Sequence, residues 1–225
     1  MLRDIRLVAG KDLRIEARSR VAINQILPFS LLIIVLFAFA LSADKVTLER
    51  FTPGLFWVTV LLAAILAIQR SVAIETDDGA GQALLLTGIE PAAIFVGKAV
   101  ALFIQLLLLE VVLAALVLVL YGSEPAGGLG FLLLVTTCVA ATVAIAAAGT
   151  LYGVLASGLG VRETILPVLL LPVLAPVLIG ATRGFDDALG IAQVNGWAWL
   201  GLLGVFAVIY LVFGSLAYGV LLEDS

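Results

Sequence analysis

The sequence predicts an all-α membrane protein: six transmembrane helices in a single domain over residues 1–225. Of the 225 residues, 63% are hydrophobic and only 12% are charged, whereas a water-soluble domain is about half apolar and roughly a quarter charged. A chain of this size cannot bury so much apolar surface in water. The same composition excludes intrinsic disorder, and the formal net charge of −4 argues against nucleic-acid binding.

The sequence also excludes several kinds of chemistry within one copy of the chain. It contains no histidine and a single cysteine, Cys138, so zinc sites, histidine-based catalysis and disulfides are not available. The pair Gly97-Lys98 fails as a phosphate-binding loop. Such a loop needs a glycine five residues earlier and a Ser or Thr directly after, where this chain has Ala92 and Ala99. We therefore expect no catalytic residue, no metal site and no cofactor bound by this chain.

Six apolar segments are long enough to cross a bilayer. A hydrocarbon core about 30 Å thick requires around 20 apolar residues in a helix. The segments are separated by turn signals, among them a turn at 121–128 and a polar, glycine-containing stretch at 184–195. The predicted transmembrane helices cover 24–43, 52–69, 93–121, 129–156, 164–182 and 197–221.

The distribution of cationic residues predicts the orientation. With six spans, the N-terminus, the 70–92 and 157–163 connections and the C-terminal tail share one side. Together with Lys98 at the end of the 70–92 connection, they hold nine of the twelve Lys and Arg residues. Because cations stay preferentially in the cytoplasm, we expect both termini to be cytoplasmic. Residues 1–20 are also too long and too charged for the first part of a signal peptide, so we expect no cleavage.

Residues 1–20 form a predicted amphipathic helix at the membrane interface. Five cationic residues fall within an arc of about 140° when successive residues are placed 100° apart. Apolar residues occupy the opposite side, although Asp12 and Glu16 interrupt it. Such a helix is expected to lie on the membrane surface with its basic side toward anionic headgroups. Alternatively, these cations only set the orientation. They are Arg3, Arg6, Lys11, Arg14 and Arg18.

The segment 70–92 is the longest predicted cytoplasmic connection. It places acidic residues before an apolar cluster, and Gly79 and Gly81 weaken a single helix, so we expect two short helices hinged near these glycines. Apolar residues flanked by acids indicate docking onto a soluble partner. Alternatively, the leucines lie in the lipid interface. The candidate docking residues are Arg70, Glu75, Asp77, Asp78, Gly79, Leu84, Leu85 and Leu86.

Glu110 is a carboxyl group near the middle of the third predicted span. A carboxylate there is costly if charged and marks either a helix-to-helix hydrogen bond or a transport pathway. Gln105, five residues earlier, lies about 140° around the helix, so the two do not share a face. Since one carboxylate is not a proton-relay chain, we favour a structural hydrogen bond.

The fourth and fifth predicted spans carry packing and bending signals. Small residues at four-residue spacing in the fourth span permit close approach of a neighbouring helix, either in this chain or in a second copy. Prolines in the fifth span each remove a backbone donor and predict kinks, which indicate a helix that shapes a cavity, moves, or is merely bent. The small residues are Ala140, Ala144, Ala148, Gly149 and Gly153; the prolines are Pro167, Pro172 and Pro176.

Five short motifs lie between residues 51 and 98: Phe51-Thr-Pro-Gly-Leu-Phe-Trp-Val58, Gln69-Arg70, Asp77-Asp-Gly79, Leu84-Leu-Leu86 and Phe95-Val-Gly-Lys98. Together they resemble the haem exporter protein B (CcmB) family, the permease subunits of the cytochrome c maturation ABC transporter. The resemblance extends over nearly the whole chain, mostly as hydropathy outside this region. Many members have an acidic residue directly before the arginine, where this chain has Gln69.

The resemblance implies an ABC-2-type permease of six helices in a bacterial inner membrane, working as a homodimer with a CcmA-type ATPase. It implies CcmC- and CcmD-type membrane partners and a CcmE-type periplasmic haem chaperone. ATP would be bound by the ATPase, haem would be handled by the complex, and residues 70–90 would be the coupling segment that the ATPase receives. Such a complex is expected to export haem or to use ATP to release the haem-loaded chaperone.

Two other functions are compatible with the sequence. One is an ABC-2 permease for another substrate, such as a lipid-linked glycan or a drug. The other is a secondary carrier driven by protons through Glu110, which would need no ATPase. No inverted repeat, the usual sign of such a carrier, is evident in the sequence.

Overall fold

A computed structural model of the chain describes residues 1–41, 44–77, 88–157 and 162–223. The described residues form helices and short connections, with no strand among them. A π-helical turn, Ala22–Ile26, precedes the second helix. The helices are α1 (Leu2–Ser19), α2 (Leu27–Ala40), α3 (Lys45–Asp77), α4 (Pro91–Tyr121), α5 (Gly127–Ser157), α6 (Arg162–Ala188) and α7 (Gly196–Glu223).

Six helical segments in the described residues are long and apolar enough to cross a membrane. The first combines the π-helical turn with α2, and the other five lie in α3 to α7. This confirms the predicted all-α membrane fold, and the protein is a multi-pass membrane protein. Because six is even, α1 and the end of α7 lie at the same end of the bundle, which we call the terminal end; the other is the opposite end.

Helix α3 is longer at both ends than the predicted span 52–69. It begins at Lys45 because Asp44 caps it: the Thr47 backbone N–H and hydroxyl both donate to Asp44 Oδ2, at 3.0 and 2.7 Å. At the terminal end it continues to Asp77. The predicted end of the second span at residue 69 is therefore too early, since 70–77 continue the same helix. The hinge predicted near Gly79 and Gly81 lies outside the described residues.

Helix α6 also continues beyond its predicted end at residue 182. The polar stretch from 184 was expected to be a loop, but the helix runs to Ala188. Gly184 lies where α6 contacts α5, and a methyl group there would be 2.7 Å from Thr137 Oγ1. The glycine is thus a packing residue inside the helix, and the chain turns at Gly190, whose φ is +66°.

Helix α5 lies at the centre of the bundle and contacts α3, α4, α6 and α7. The residues of its predicted small-residue stripe are buried, apart from partly buried Ala140. A methyl group at Gly149 would overlap the Ile68 side chain, with Ile68 Cγ1 only 2.8 Å away, and one at Gly153 would be 2.9 Å from Val72 Cγ2. The end of the small-residue stripe that holds these glycines therefore packs against α3 of the same chain.

Candidate functional site

The N-terminal helix packs against the start of α4. Val8 and Ala9 are buried in this contact. A methyl group built at Gly97 would be 2.7 Å from Val8 Cβ, so the two helices approach closely only because residue 97 has no side chain. The arginines of the basic arc remain exposed on the other side of α1. The apolar side of α1 is thus packed in part on protein, while the basic side expected to face the headgroups remains exposed.

Asp12, one of the two acidic residues that interrupt the apolar face of α1, points into this contact. Lys98 is only 6% exposed, and its Nζ lies 3.7 Å from Asp12 Oδ2. Lys11 Nζ lies 3.1 Å from Asp12 Oδ1 at the surface. Sequence reasoning missed the pairing because it treated Lys98 only as part of a failed phosphate loop and as a loop-end cation. A lysine inside an apolar span needs a partner of opposite charge. The sequence signal that could have identified this partner was Asp12, an acidic residue on the otherwise apolar side of residues 1–20.

Glu16 shapes the turn that leads from α1 into the membrane. Arg20 adopts the left-handed conformation with φ of 55° and donates its backbone N–H to the Glu16 carbonyl. Glu16 Oε1 accepts the backbone N–H of Ala22 at 2.6 Å, at the start of the π-helical turn. The carboxylate therefore satisfies a backbone donor at a helix start, where none would otherwise be available inside the helix.

A small cavity lies between α1, α3 and α4 at the terminal end. Its volume is about 20 Å³, and its lining includes Asp12, Arg70 and Gln105. Asp12 Oδ2 and Arg70 Nε are both buried, and neither has a hydrogen-bond partner among the described residues. We call Asp12, Lys98, Arg70 and Gln105 the polar joint. It brings together residues that lie far apart in the sequence.

The predicted docking segment is described only at its beginning. Arg70 lies on α3 and contributes to the polar joint, while Glu75 and Asp77 lie in the last turns of that helix. The chain is described again from Gly88, and α4 begins at Pro91 after Glu90. The remaining candidate docking residues lie outside the described residues: Asp78, Gly79, Leu84, Leu85 and Leu86.

Glu110 forms a hydrogen bond between two transmembrane helices. It is 1% exposed, and the Thr142 hydroxyl of α5 lies 2.5 Å from Glu110 Oε1 and 2.7 Å from the Cys138 carbonyl. Gln105 belongs to the polar joint instead. Glu110 and Gln105 therefore face different neighbours, as their spacing along α4 predicts. The arrangement fits the structural role that the sequence favoured.

The three prolines of the predicted fifth span all lie inside α6, which the structure describes as one continuous helix. Pro176 cannot donate a backbone hydrogen bond, so the Pro172 carbonyl has no helical donor. Tyr210 of α7 donates its hydroxyl to the next carbonyl along the helix, that of Val173, at 2.7 Å. This bond joins α6 to α7 beside the proline.

A larger open cavity of about 930 Å³ lies at the opposite end. Its walls hold Lys45, Arg50 and Arg183, the cations that the sequence assigned to that side, together with three carboxylates. Lys45 pairs with Glu49 at 3.5 Å, and Arg183 pairs with Asp186 at 3.2 Å. Acidic and basic groups therefore balance there. Sequence reasoning used these residues only to count charge.

The structure gives no sign of a metal centre within its described residues, where no group of three His, Cys, Asp or Glu side chains could hold an ion. Some of the polar groups described above join one helix to another, as the Asp12–Lys98 pair and the Thr142–Glu110 hydrogen bond do.

Comparison with known proteins places the chain among similar sequences. The family model described as CcmB protein matches residues 4–225. Heme exporter protein B of Rhodobacter capsulatus is 30% identical over 214 residues, covering 95% of this chain and 97% of that protein. Heme exporter protein B of Haemophilus influenzae is 29% identical over 202 residues, covering 89% and 90%. The Pseudomonas aeruginosa protein of the same name is 26% identical over 203 residues, covering 90% of each.

Proposed function

The chain belongs to the CcmB protein family, and on that basis we propose that it is the membrane permease subunit of an ABC transporter complex in cytochrome c maturation. The observation that carries the proposal is the family match over residues 4–225, with relatives named heme exporter protein B that align along nearly the whole chain. The complex acts in haem export or in ATP-driven release of a haem-loaded periplasmic chaperone. Haem is handled by the complex.

The subunit is non-catalytic and receives energy by contact. Its sequence has no phosphate-binding loop at Gly97-Lys98, so ATP is bound and hydrolysed by a separate CcmA-type subunit. That subunit docks on the segment 70–92, whose first eight residues form the last turns of α3. Helix α3 is continuous from Lys45 to Asp77, so a force applied beyond Asp77 acts directly on a transmembrane helix. The permease works as a homodimer with CcmC-type, CcmD-type and CcmE-type partners.

The proposed location is a bacterial inner membrane with the terminal end in the cytoplasm. Five arginines of residues 1–20 are exposed at that end, and such residues are retained in the cytoplasm during insertion. In this orientation the exposed arginines face the anionic lipids of the cytoplasmic leaflet. The docking segment and α1 then lie on the side where ATP is available.

The docking role is tested by the double variant Asp78→Lys/Leu85→Asp. Reversing one charge and placing another in the apolar cluster should remove the ATPase subunit from the complex purified in mild detergent, while membrane insertion is unchanged. Cytochrome c maturation should be lost with it. Glu124→Lys is the matched control, since it makes the same kind of charge change on an exposed residue at the opposite end.

Normal recovery of the ATPase and normal maturation in the double variant would contradict the docking role. Loss of the protein from the membrane would call for the milder Leu85→Asn with the same two measurements. Identification of the co-purifying subunits also separates this function from an ABC-2 permease for another substrate, which would bring a different set of partners.

A further inference from the structure

Three helices meet at the polar joint, and each contributes a polar side chain. Asp12 belongs to α1, Arg70 to α3, and Lys98 and Gln105 to α4. Arg70 lies seven residues before the end of α3 at Asp77. Arg70 is therefore about two helical turns from that end. A displacement of the end of α3 moves Arg70, and with it the polar joint.

The hydrogen bonds of the joint are incomplete in one specific place. Asp12 Oδ1 is 3.1 Å from Lys11 Nζ, but Asp12 Oδ2 is 3.7 Å from Lys98 Nζ, which is too long for a hydrogen bond. Asp12 Oδ2 is a buried acceptor, and the Arg70 Nε–H is a buried donor, each without a hydrogen-bond partner among the described residues. Buried polar groups are almost always paired with protein or with ordered water.

The cavity between these residues has the size and the lining that one water molecule needs. One buried water needs a cavity volume of about 10–15 Å³ and two to four polar partners. The volume of this cavity is about 20 Å³. Asp12, Arg70 and Gln105 all line it, so an acceptor, a donor and an amide surround one space.

We propose that this cavity binds one ordered water, which accepts from Arg70 Nε–H and donates to Asp12 Oδ2, so that the water links α3 to α1. The proposal rests on the proposed function only in its second step. In that step the water and the Asp12–Lys98 pair make α1 and α4 follow α3 when the ATPase moves residues beyond Asp77. Asp12, Arg70 and Lys98 are thus positioning residues.

The water is tested at Ala67, which lines the cavity from α3 without being part of the polar joint. Ala67→Val adds two methyl groups that displace the water, whereas Ala67→Ser adds a hydroxyl that can take over its hydrogen bonds. In the intact complex, Ala67→Val should keep the ATPase bound yet lower ATP-driven maturation by between about twofold and thirtyfold. Ala67→Ser should keep both. Equal loss, or equal retention, in the two variants would overturn the proposal.

The ion pair is tested by exchanging its charges. Asp12→Lys and Lys98→Asp should each lower maturation with the ATPase still bound, and the double exchange should recover it in part. Lys11→Met, which removes only the surface contact to Asp12 Oδ1, is the control and should have no effect. No recovery in the double exchange would mean that the pair does not link the helices.

A structural measurement keeps this proposal separate from the proposed function. A map of the wild-type protein that resolves ordered waters should show one water between Arg70 Nε and Asp12 Oδ2. An unfilled cavity in such a map would refute the water site even if the ATPase is bound. A filled cavity in a protein that binds no ATPase would leave the water site standing and refute the proposed function.

Discussion

Glu110 and Lys98 are buried side chains of α4, and each makes its contact with a different helix. Thr142 of α5 lies against Glu110, whereas Asp12 of α1 lies against Lys98. A polar group in a membrane protein is retained only where a neighbour satisfies it. At the scale of single residues, polar side chains therefore connect helices that apolar contacts alone would leave free to slide.

Glu110→Gln and Glu110→Leu separate a structural bond from proton transport. A threonine hydroxyl has one proton, so it cannot donate to both the Cys138 carbonyl and Glu110. A glutamine amide can donate to Thr142 and should preserve thermal stability in detergent as well as maturation. Leucine removes the interhelical bond and should lower the free energy of unfolding by about 1 kcal/mol. Loss of activity in a fully stable Glu110→Gln protein would instead support the proton-driven carrier.

The ends and contacts of α3 show what decides the length of a helix. Asp44 begins it through two hydrogen bonds from Thr47, and Gly149 and Gly153 of α5 let its Ile68 and Val72 side chains approach. At the scale of elements, α3 is thus held by a cap at one end and by glycine contacts further along.

Gly149→Ala should weaken the contact between α3 and α5. The added methyl group would overlap Ile68, and overpacking of this kind lowers the free energy of unfolding by about 1–3 kcal/mol. Ile68→Val removes the nearest methyl group, so the double variant should regain part of the loss. Gly54→Ala adds a methyl group where nothing lies within 4 Å, and should not destabilise. Thermal unfolding in detergent measures all three; additive losses in the double variant would contradict the contact.

The cap of α3 should depend on pH. The Thr47 hydrogen bonds lower the pKa of Asp44 below its ordinary value of 3.8, because they favour the charged carboxylate. A lowered pKa in the folded state means that the cap is complete above the unfolded value and is lost as pH falls through the folded value. The protection of the Thr47 amide, measured as its hydrogen-exchange rate relative to that of an unstructured peptide at the same pH, should therefore be lost as the pH falls through the lowered pKa of Asp44. Asp44→Ala should show little protection at any pH, and wild-type protection that does not change with pH would contradict the cap.

At the scale of the whole molecule, the two ends of the bundle differ in the charge they carry. The terminal end has an exposed row of arginines on α1, whereas the opposite end has an open cavity in which ion pairs balance. A basic end faces the cytoplasm in most membrane proteins. The asymmetry is therefore the physical basis for the proposed orientation.

The orientation is tested with single cysteines. Cys138 is buried, so the parent chain should take up no membrane-impermeant maleimide. Glu124→Cys, at an exposed position of the opposite end, should be labelled in intact spheroplasts. Arg3→Cys, exposed on α1, should be labelled only after the membrane is opened. The reverse pattern would place the docking segment outside the cell and overturn the proposed function.

The sequence by itself determined the fold class, the six spans and the family, because apolar length and a run of local motifs are properties of neighbouring residues. It also placed Glu110 and Gln105 on different faces. The predicted limits of α3 and α6 were wrong because Asp44, Gly184 and residues 70–77 do not by themselves show where a helix begins or ends. Capping hydrogen bonds and close contacts between helices decide these limits, and they form only in the folded structure.

Only the tertiary structure decided which residues meet. In the sequence, Asp12 only interrupts an apolar face. The structure places it beside Lys98, 86 positions away. From the sequence, the glycines of α5 permit the close approach of any helix. Their contacts with Ile68 and Val72 show that this helix is α3. The physical reason is that the burial of a residue depends on the tertiary fold and not on the residue type. A charged side chain or a glycine acquires its structural role only when another helix packs against it.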